Sequence, residues 1–436
     1  MNIILLSGGS GKRLWPLSDG VQSKQFIKIF KKQDGNYESM IQRIYRQIKD
    51  VDENGTITIA TTNNQVSIIN NQIGNNVNFS VEPCCKDTFP AIVLAISYLY
   101  DIKKFSEEEI VIICPVDSYV DEAYFKTFEK MEKVVQTKDV NLVLMGIKPT
   151  YPSEKYGYII PLNSEDINWI SEFKEKPDLQ TAKKYIDQGA LWNGGVFATK
   201  IKYILDKAHK LIKFNDYNDL YNKYKMLDKI SFDYAIVESE PKIQVCRFTG
   251  MWKDVGTWND LIDVTKFPVL GDALLDKECA NISVINRLNI PMICMGLKDM
   301  IIMASPNGIL ISDKKRSEYI KPYVDKIRQF SRIAEKSWGT FQILNFGENS
   351  LTVKIMLNAG KKMSYHSHCC RDELWNIISG KGIAILDGKK RIVEVGDSII
   401  IKSGNKHSLI AISNLEIIEI QLGEHISASD KIKYDL

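Results

Sequence analysis

The first 150 residues alternate between two kinds of apolar pattern, and few features restrict a fold more. "NIILLSG" is a short apolar run ended by glycine, "YESMIQRIYRQIKDV" repeats at helical spacing, and "TITIATT" alternates as a strand does. "AIVLAISYLYDI" reads as helix, "EEIVIICPVD" as a buried strand, "YFKTFEKMEKVVQ" as helix and "VNLVLMGI" as strand. Strands that alternate with helices build a parallel sheet covered on both faces. A ligand on such a sheet sits at the carboxyl ends of the strands, and the glycine turn after Leu6 belongs to that edge. The expected fold of residues 1–265 is α/β, with a Rossmann-like, mostly parallel sheet.

The texture changes near residue 265. "NISVINRLNIPMICMGLKDMIIMASPNGILISD" is a series of short apolar stretches cut by Asn, Pro and Gly, which predicts short strands and few helices. The charged stretch "KKRSEYIKPYVDKIRQFSRIAEK" predicts a helix and then a linker. After "KSWGTFQIL" the chain turns all-β, with glycine-bearing turns spaced as in a small barrel or jelly roll. Three regions are expected: 1–265, a β-rich middle segment and linker at 266–335, and an all-β barrel at 336–436. The 57 basic and 54 acidic residues nearly cancel, which argues against a nucleic-acid or membrane partner. No apolar run reaches the roughly 18 residues a membrane helix needs. A strand starts at Asn2, so no signal peptide is expected. Eight cysteines without a C-x-x-C suggest reduced thiols in a cytosol.

The glycine turn, "ILLSGGSGKRLWPLS", invites a phosphate, but two familiar loops do not fit it. A dinucleotide loop needs a third glycine where Leu14 stands. A P-loop needs Ser or Thr where Arg13 follows Lys12, and a first glycine where Leu6 stands. Taken alone, the turn is equally well a tight strand–helix connection. As a ligand loop, the backbone N–H groups of Gly8 to Gly11 would hold anionic oxygens at a helix start. Arg13 and Lys24 would neutralise a triphosphate as charge builds on its leaving part.

The wider block "GGSGKRLWPLSDGVQSKQF" resembles the signature of sugar-1-phosphate nucleotidylyltransferases. Trp15 and Lys24-Gln25-Phe26 resemble the mannose-1-phosphate guanylyltransferase branch in particular. The likeness continues in order through "VEPCCKDTFPAIVLA", "CPVDSYV", "EKYGYIIP", "SEFKEKPD", "LWNGGVFATK", "SFDYAIVE" and "MWKDVGTWNDL". It departs from the family pattern at Ser23, Asp87, Phe89, Ser118 and Gly194. The resemblance implies transfer of GMP from GTP to mannose 1-phosphate, in a homodimer. Nucleotide contacts would come from Leu6, Gly8, Gly9, Gly11, Lys12, Arg13, Lys24, Glu82, Asp87, Thr88 and Asp117. Asp117 and Asp254 would hold Mg²⁺ through oxygen ligands. Gly157, Glu175, Lys176, Asn193 and Gly194 would hold the sugar phosphate, and Arg13, Lys24, Asp117 and Asp254 would carry the chemistry. His209 reads as a helix-surface residue.

Four of the five histidines follow residue 360. "GKKMSYHSHCCRDELWNIISG" places His366, His368 and Glu373 at the spacing G-x₅-H-x-H-x₄-E-x₆-G, and His407 follows in "GDSIIIKSGNKH". Histidines two apart share one side of a strand, and Glu373 and His407 can close a cage for a divalent transition metal, Zn²⁺ or similar. The competing view is surface histidines on a hairpin. The spacing resembles the two cupin motifs, with Lys402 in place of the usual proline; His425 lies outside them. The domain order resembles bifunctional guanylyltransferases that end in a type II mannose-6-phosphate isomerase, and "KSWGTF" resembles their entry to that domain. Such isomerases commonly have glutamine where His366 stands, H-H-R where Cys369-Cys370-Arg371 stands, and a Tyr-Gly-Arg tail where this chain ends "SDKIKYDL". Two readings follow. The cupin isomerises mannose 6-phosphate and fructose 6-phosphate, or it is a non-catalytic binding or dimerisation module. The second goes with a nucleotidyltransferase for another sugar 1-phosphate or base.

Overall fold

The computed structural model describes residues 1–8, 12–18, 23–266, 268–327 and 332–435. The chain forms two compact units, Met1–Leu14 with Ser23–Phe267, and Trp15–Gln22 with Pro268–Leu436.

A nine-stranded sheet runs through the first unit in the order Asn78–Glu82, Thr56–Thr62, Asn2–Leu6, Ile110–Pro115, Leu191–Lys200, Leu142–Ile147, Ile243–Phe248, Ile167–Lys174 and Tyr158–Pro161. The strands read from the alternation pair in parallel around Asn2–Leu6, and Leu142–Ile147 pairs in parallel with Ile243–Phe248. Leu191–Lys200 runs antiparallel to both of its central neighbours and joins these two parallel parts into one mixed sheet. Ile3, Ile4 and Leu5 are at most 1% exposed, as expected of a strand covered on both faces. The covering helices differ in character. Met40–Val51 begins with a Ser39/Gln42 capping box and buries one stripe, Met40, Ile41, Ile44 and Ile48. Thr88–Ser97 is buried from Phe89 to Ser97, so it is a core helix rather than a surface one. Each fully buried side chain of this kind is worth about 1.5–3 kcal/mol, which fixes both helices to the sheet.

The second unit starts with short ladders. Val269–Leu270, Ser283–Asn286 and Met300–Ser305 stack in parallel, as do Ala273–Leu275 and Met292–Cys294, around Ile282, Val284, Cys294 and Ile302. Gly308–Asp313 then turns back along Met300–Ser305. Residues 15–18 lie with these strands: Ser305 Oγ donates to the Pro16 carbonyl at 3.1 Å. A Cβ at Gly308, whose φ is +151°, would stand 2.4 Å from Trp15 Cζ2. The helix expected at the start of the charged stretch 314–336 is only a 3₁₀ turn, Arg316–Tyr319, and one helical turn, Lys321–Val324, which carries Pro322 at its start. In place of the end of the expected linker, Ile333–Lys336 is a strand paired with Gly339–Phe346.

From there the chain is antiparallel. A six-stranded sheet and a five-stranded sheet enclose Ile355, Leu357, Trp375, Ile377, Leu409 and Ile417. The inward rows change chemistry along their length. Leu415 and Ile417 give way to Glu419 and Gln421, and Leu409 to His407, so one end of the barrel is apolar and the other polar.

Candidate active site

In the first unit the sequence-expected residues gather in three groups. The first lies where Asp117 follows a sheet strand. The short strand Trp252–Asp254 pairs antiparallel with Ser118–Val120 and sets Asp254 opposite Ser118. This brings both aspartates to Lys24, whose Nζ lies 3.0 Å from Asp117 Oδ2 and 3.9 Å from Asp254 Oδ1. Lys24 also donates to the Val255 carbonyl at 3.0 Å. Burial works to lower the Lys24 ammonium, but Asp117 and Asp254 outweigh it and hold the group above the usual lysine range. Burial favours the neutral form of Asp117, yet Lys24 keeps it below the usual carboxylate range. Asp254 is raised, by burial first and by the Asp117 charge, with Lys24 opposing. Two carboxylates thus share one ammonium, an oxygen donor set with negative charge to spare, as a hard divalent cation requires. Arg13 is exposed, and its charge reaches Lys24 and Asp254.

The second group joins Gly157, Glu175, Lys176 and Asn193. Asn193 N donates to the Gly157 carbonyl at 2.8 Å. A Cβ on Gly157 would meet Glu175 Oε2 at 2.6 Å and Phe173 Cζ at 2.9 Å, so the missing side chain is what lets Glu175 lie there. Lys176 Nζ pairs with Glu175 Oε1 at 2.5 Å. A Cβ on Gly194 would press within 3.2 Å of Ile147 Cγ1 and the Met145 carbonyl oxygen. Asp233, which the sequence reading did not single out, accepts from Asn193 Nδ2 at 2.7 Å. Burial, and then the Glu175 charge, push its carboxyl up to about 7.

The third group serves local structure more visibly. Asp87, at φ +73°, caps the helix Thr88–Ser97 by accepting from Thr88 N at 2.8 Å. Thr88 Oγ1 accepts from Phe232 N at 2.8 Å, and the buried Glu82 accepts from the Tyr224 hydroxyl at 2.6 Å. Phe232 precedes Asp233, which ties this group to the second. Tyr156 ties the second group to the first: its ring lies 4.7 Å from Trp192 and 5.6 Å from Trp252. Leu6 ends the first strand and Gly8 is exposed beyond it. Gly9 and Gly11 lie outside the described residues, as does the side chain of Lys12.

In the second unit His366, His368 and His407 are 3%, 3% and 1% exposed, and their ligand atoms lie within 4.8 Å of one another. His366 pairs directly with His407 across two strands. Each ring sets Nδ1 against a backbone carbonyl, Ser364 at 2.6 Å, Asp430 at 2.7 Å and Asn405 at 3.0 Å. A carbonyl only accepts, which assigns the hydrogen to Nδ1 and turns the Nε2 lone pairs inward. Glu373 closes the group at 3.1 Å from His368 Nε2 and 3.3 Å from His407 Nε2. Of these atoms His407 Nε2 is buried without a hydrogen-bond partner among the described residues. Burial, Lys431 and His407 push His366 down to about 3. A cation among the three rings would satisfy the unpartnered His407 Nε2, and the donor set suits a transition metal.

Arg371, quoted in the sequence only as a departure, is part of this site. It donates from Nε to Glu373 at 3.2 Å and from a terminal nitrogen to His368 Nε2 at 2.9 Å. Trp375 Nε1 donates to the other Glu373 oxygen at 3.2 Å. The Asp430 carboxylate accepts from the amides of Cys369 and Cys370 at 2.8 and 3.0 Å.

Residues 2–269 match the family model described as nucleotidyl transferase, and residues 325–435 the model described as mannose-6-phosphate isomerase C-terminal. The chain is 26% identical to mannose-1-phosphate guanylyltransferase 2 of Escherichia coli O157:H7, across 99% of this chain and 96% of that protein. It is equally similar to the xanthan biosynthesis protein XanB of Xanthomonas campestris pv. campestris strain B100, 26% identical over 99% and 97% of the two chains. In fold it is similar to a crystal structure of mannose-1-phosphate geranyltransferase from Thermus thermophilus, with TM-score 0.61 and 23% identity over 74% of this chain and 98% of that one. With the first model matched over more than half its length, the chain belongs to the nucleotidyl transferase family and ends in a region of the mannose-6-phosphate isomerase C-terminal type.

Proposed function

We propose that this nucleotidyltransferase moves GMP from GTP to α-D-mannose 1-phosphate and releases pyrophosphate and GDP-mannose. The observation that carries the reading is the meeting of Asp117 and Asp254 on Lys24. The names of the full-length relatives support the choice of base and sugar. An oxygen of the sugar phosphate attacks the α-phosphorus, and the bond to pyrophosphate breaks. Such a step needs positioning and charge stabilisation rather than a protein nucleophile. Lys24 and Arg13 neutralise the triphosphate, Glu175 takes a sugar hydroxyl and Lys176 the sugar phosphate. Asn193, fixed by Asp233, shapes the sugar pocket. Asp117 and Asp254 would hold Mg²⁺, which supplies further charge stabilisation when bound. We assign this chemistry to residues 1–265 and the metal cage to 336–436, with 266–335 between them. A matrix of four nucleoside triphosphates against several sugar 1-phosphates, read by pyrophosphate release, tests the reading. GTP with mannose 1-phosphate is expected to be fastest, and a preference for UTP or CTP would overturn it.

For the cupin we propose the isomerisation of mannose 6-phosphate and fructose 6-phosphate. Its support is the buried cluster of His366, His368 and His407, with the Nε2 atoms of His368 and His407 set against Glu373. His366, His368, Glu373 and His407 would hold a divalent transition metal, Zn²⁺ or similar, which polarises the sugar carbonyl when bound. Metal content together with an isomerase assay separates this from a binding or dimerisation module. We further take the chain to act in the cytosol as a homodimer. All eight cysteines are free thiols, which supports a reducing compartment.

A further inference from the structure

Aldose–ketose isomerisation needs a group that carries a proton between C1 and C2, and the metal cage does not contain one. The polar end of the barrel does. Glu419 is 4% exposed and sits on the inward row of Leu415–Leu422, directly across from Trp375 on one side and Val353 on the other. Its hydrogen bond among the described residues comes from Gln421 Nε2 at 2.5 Å, and Gln421 in turn lies across from Glu373. Lys431 precedes the short strand that pairs with His366 and Ser367, and it is half-buried. Its ammonium feels Glu419 and Glu373 electrostatically without forming an ion pair to either among the described residues. The acid and the cation thus act on one another at the same polar end of the barrel that holds Glu373.

We propose that Glu419 is the proton-carrying group of sugar-phosphate isomerisation in the cupin, with Lys431 as the cation that receives the substrate opposite it. The proposal rests on the isomerase reading above. In the open-chain aldose, Glu419 takes the proton from C2. The C2–H electron pair becomes the C1–C2 double bond, and the carbonyl pair moves onto O1. The O2 proton passes to O1, and Glu419 returns its proton to C1, so the ketose forms with no net change in protons or electrons. The environment suits this duty. Burial, then the Glu373 charge, raise the Glu419 carboxyl to about 8, while burial lowers Lys431 to about 8. Groups that exchange protons near neutral pH make efficient acid–base catalysts. Arg371 also faces Glu419, but its guanidinium is already engaged by Glu373, His368 and the Ser427 carbonyl.

The test follows mannose 6-phosphate in D₂O by NMR with wild-type protein, Glu419→Gln and Lys431→Met, alongside elemental analysis and calorimetric binding of the unreactive alditol glucitol 6-phosphate. Glu419→Gln is expected to lose isomerisation and deuterium uptake at C2 by about 100-fold or more, with metal content and alditol binding within threefold of wild type. Lys431→Met is expected to weaken alditol binding about tenfold. An active wild type with an equally active, metal-bearing Glu419→Gln overturns the role of Glu419 and leaves the isomerase reading standing. A wild type with neither isomerisation nor deuterium uptake overturns both. If Glu419→Gln arrives without metal, Glu419→Asp decides: wild-type rates overturn the proposal, and a loss of about tenfold with metal bound supports it.

Discussion

Asp254 and Asp233 are both buried enough to resist ionising, yet their neighbours give them different duties. Asp254 faces Lys24 and Asp117, where a cation would lower its cost of charge. Asp254→Asn keeps the shape and removes a ligand, so turnover should fall by about 10² or more, while near wild-type turnover at saturating Mg²⁺ would contradict the metal role. Asp233 holds its proton up to about 7 because of burial and Glu175. An unfolded aspartate titrates near 3.9. The folded form therefore binds more protons between these values, and stability contributed there is lost as pH rises from about 4 through about 7. Asp233→Asn should match wild type at pH 4 and exceed it at pH 8 by about 1–2 kcal/mol, after allowance for solvent screening. Denaturant melts at the two pH values check this, and an identical pH dependence in both proteins would refute it. The sequence made Asp254 legible through an ordered block. Asp233 stands in another such block, "SFDYAIVE", but its role appears only when Asn193 is folded against it.

At the scale of elements, the turn between Ile333–Lys336 and Gly339–Phe346 sets the first hairpin of the cupin. Gly339 has φ +150°, and a Cβ there would lie 1.8 Å from the Met356 carbonyl oxygen. Gly339→Ala should cost about 1–3 kcal/mol and lower the melting temperature of the second unit by a few degrees. Gly360→Ala makes a fair comparison, since its φ is +76° and no atom stands within 4 Å of the built Cβ. It should cost less, and equal losses would argue that backbone strain alone decides. Helices were legible where the apolar spacing was regular, as in Met40–Val51. The antiparallel course of Leu191–Lys200 was not, because side-chain alternation is the same for either strand direction. The cluster of His366, His368 and His407 was legible because two histidines at i and i+2 are a spacing signal. Arg371 and Glu419 are single charged residues on alternating strands, and the sequence does not tell which charges turn inward.

For the molecule as a whole, the nucleotidyl transfer and the isomerisation proposed above use separate residues. His366→Ala combined with His368→Ala should empty the cupin of metal and leave pyrophosphate release from GTP and mannose 1-phosphate largely unchanged. A parallel loss of both would tie the activities together. A chain cut after residue 265 should fare worse. The polypeptide leaves the first unit after Leu14, lays Trp15–Gln22 in the second, and returns at Ser23. Such a fragment keeps Arg13 and Lys24 but strands the segment between them. The Pro16 carbonyl loses Ser305, and the Trp15 ring loses the close approach of Gly308. Nucleotidyl transfer by the fragment should be about tenfold or more below that of the full chain; equal rates would mean the segment orders itself.

The threading of Trp15–Gln22 also sets a rule for modular engineering. In most two-part proteins a graft is made at one junction, and the parts can be exchanged as beads on a string. Here the second unit owns eight residues inside the most diagnostic motif of the first. A C-terminal half taken from a relative would have to bring its own version of that short stretch, spliced in near the opposite end of the gene. Residues on the two sides of the graft are therefore expected to vary together: a change at Trp15 or Pro16 should be tolerated only with a matching change around Ser305 and Gly308.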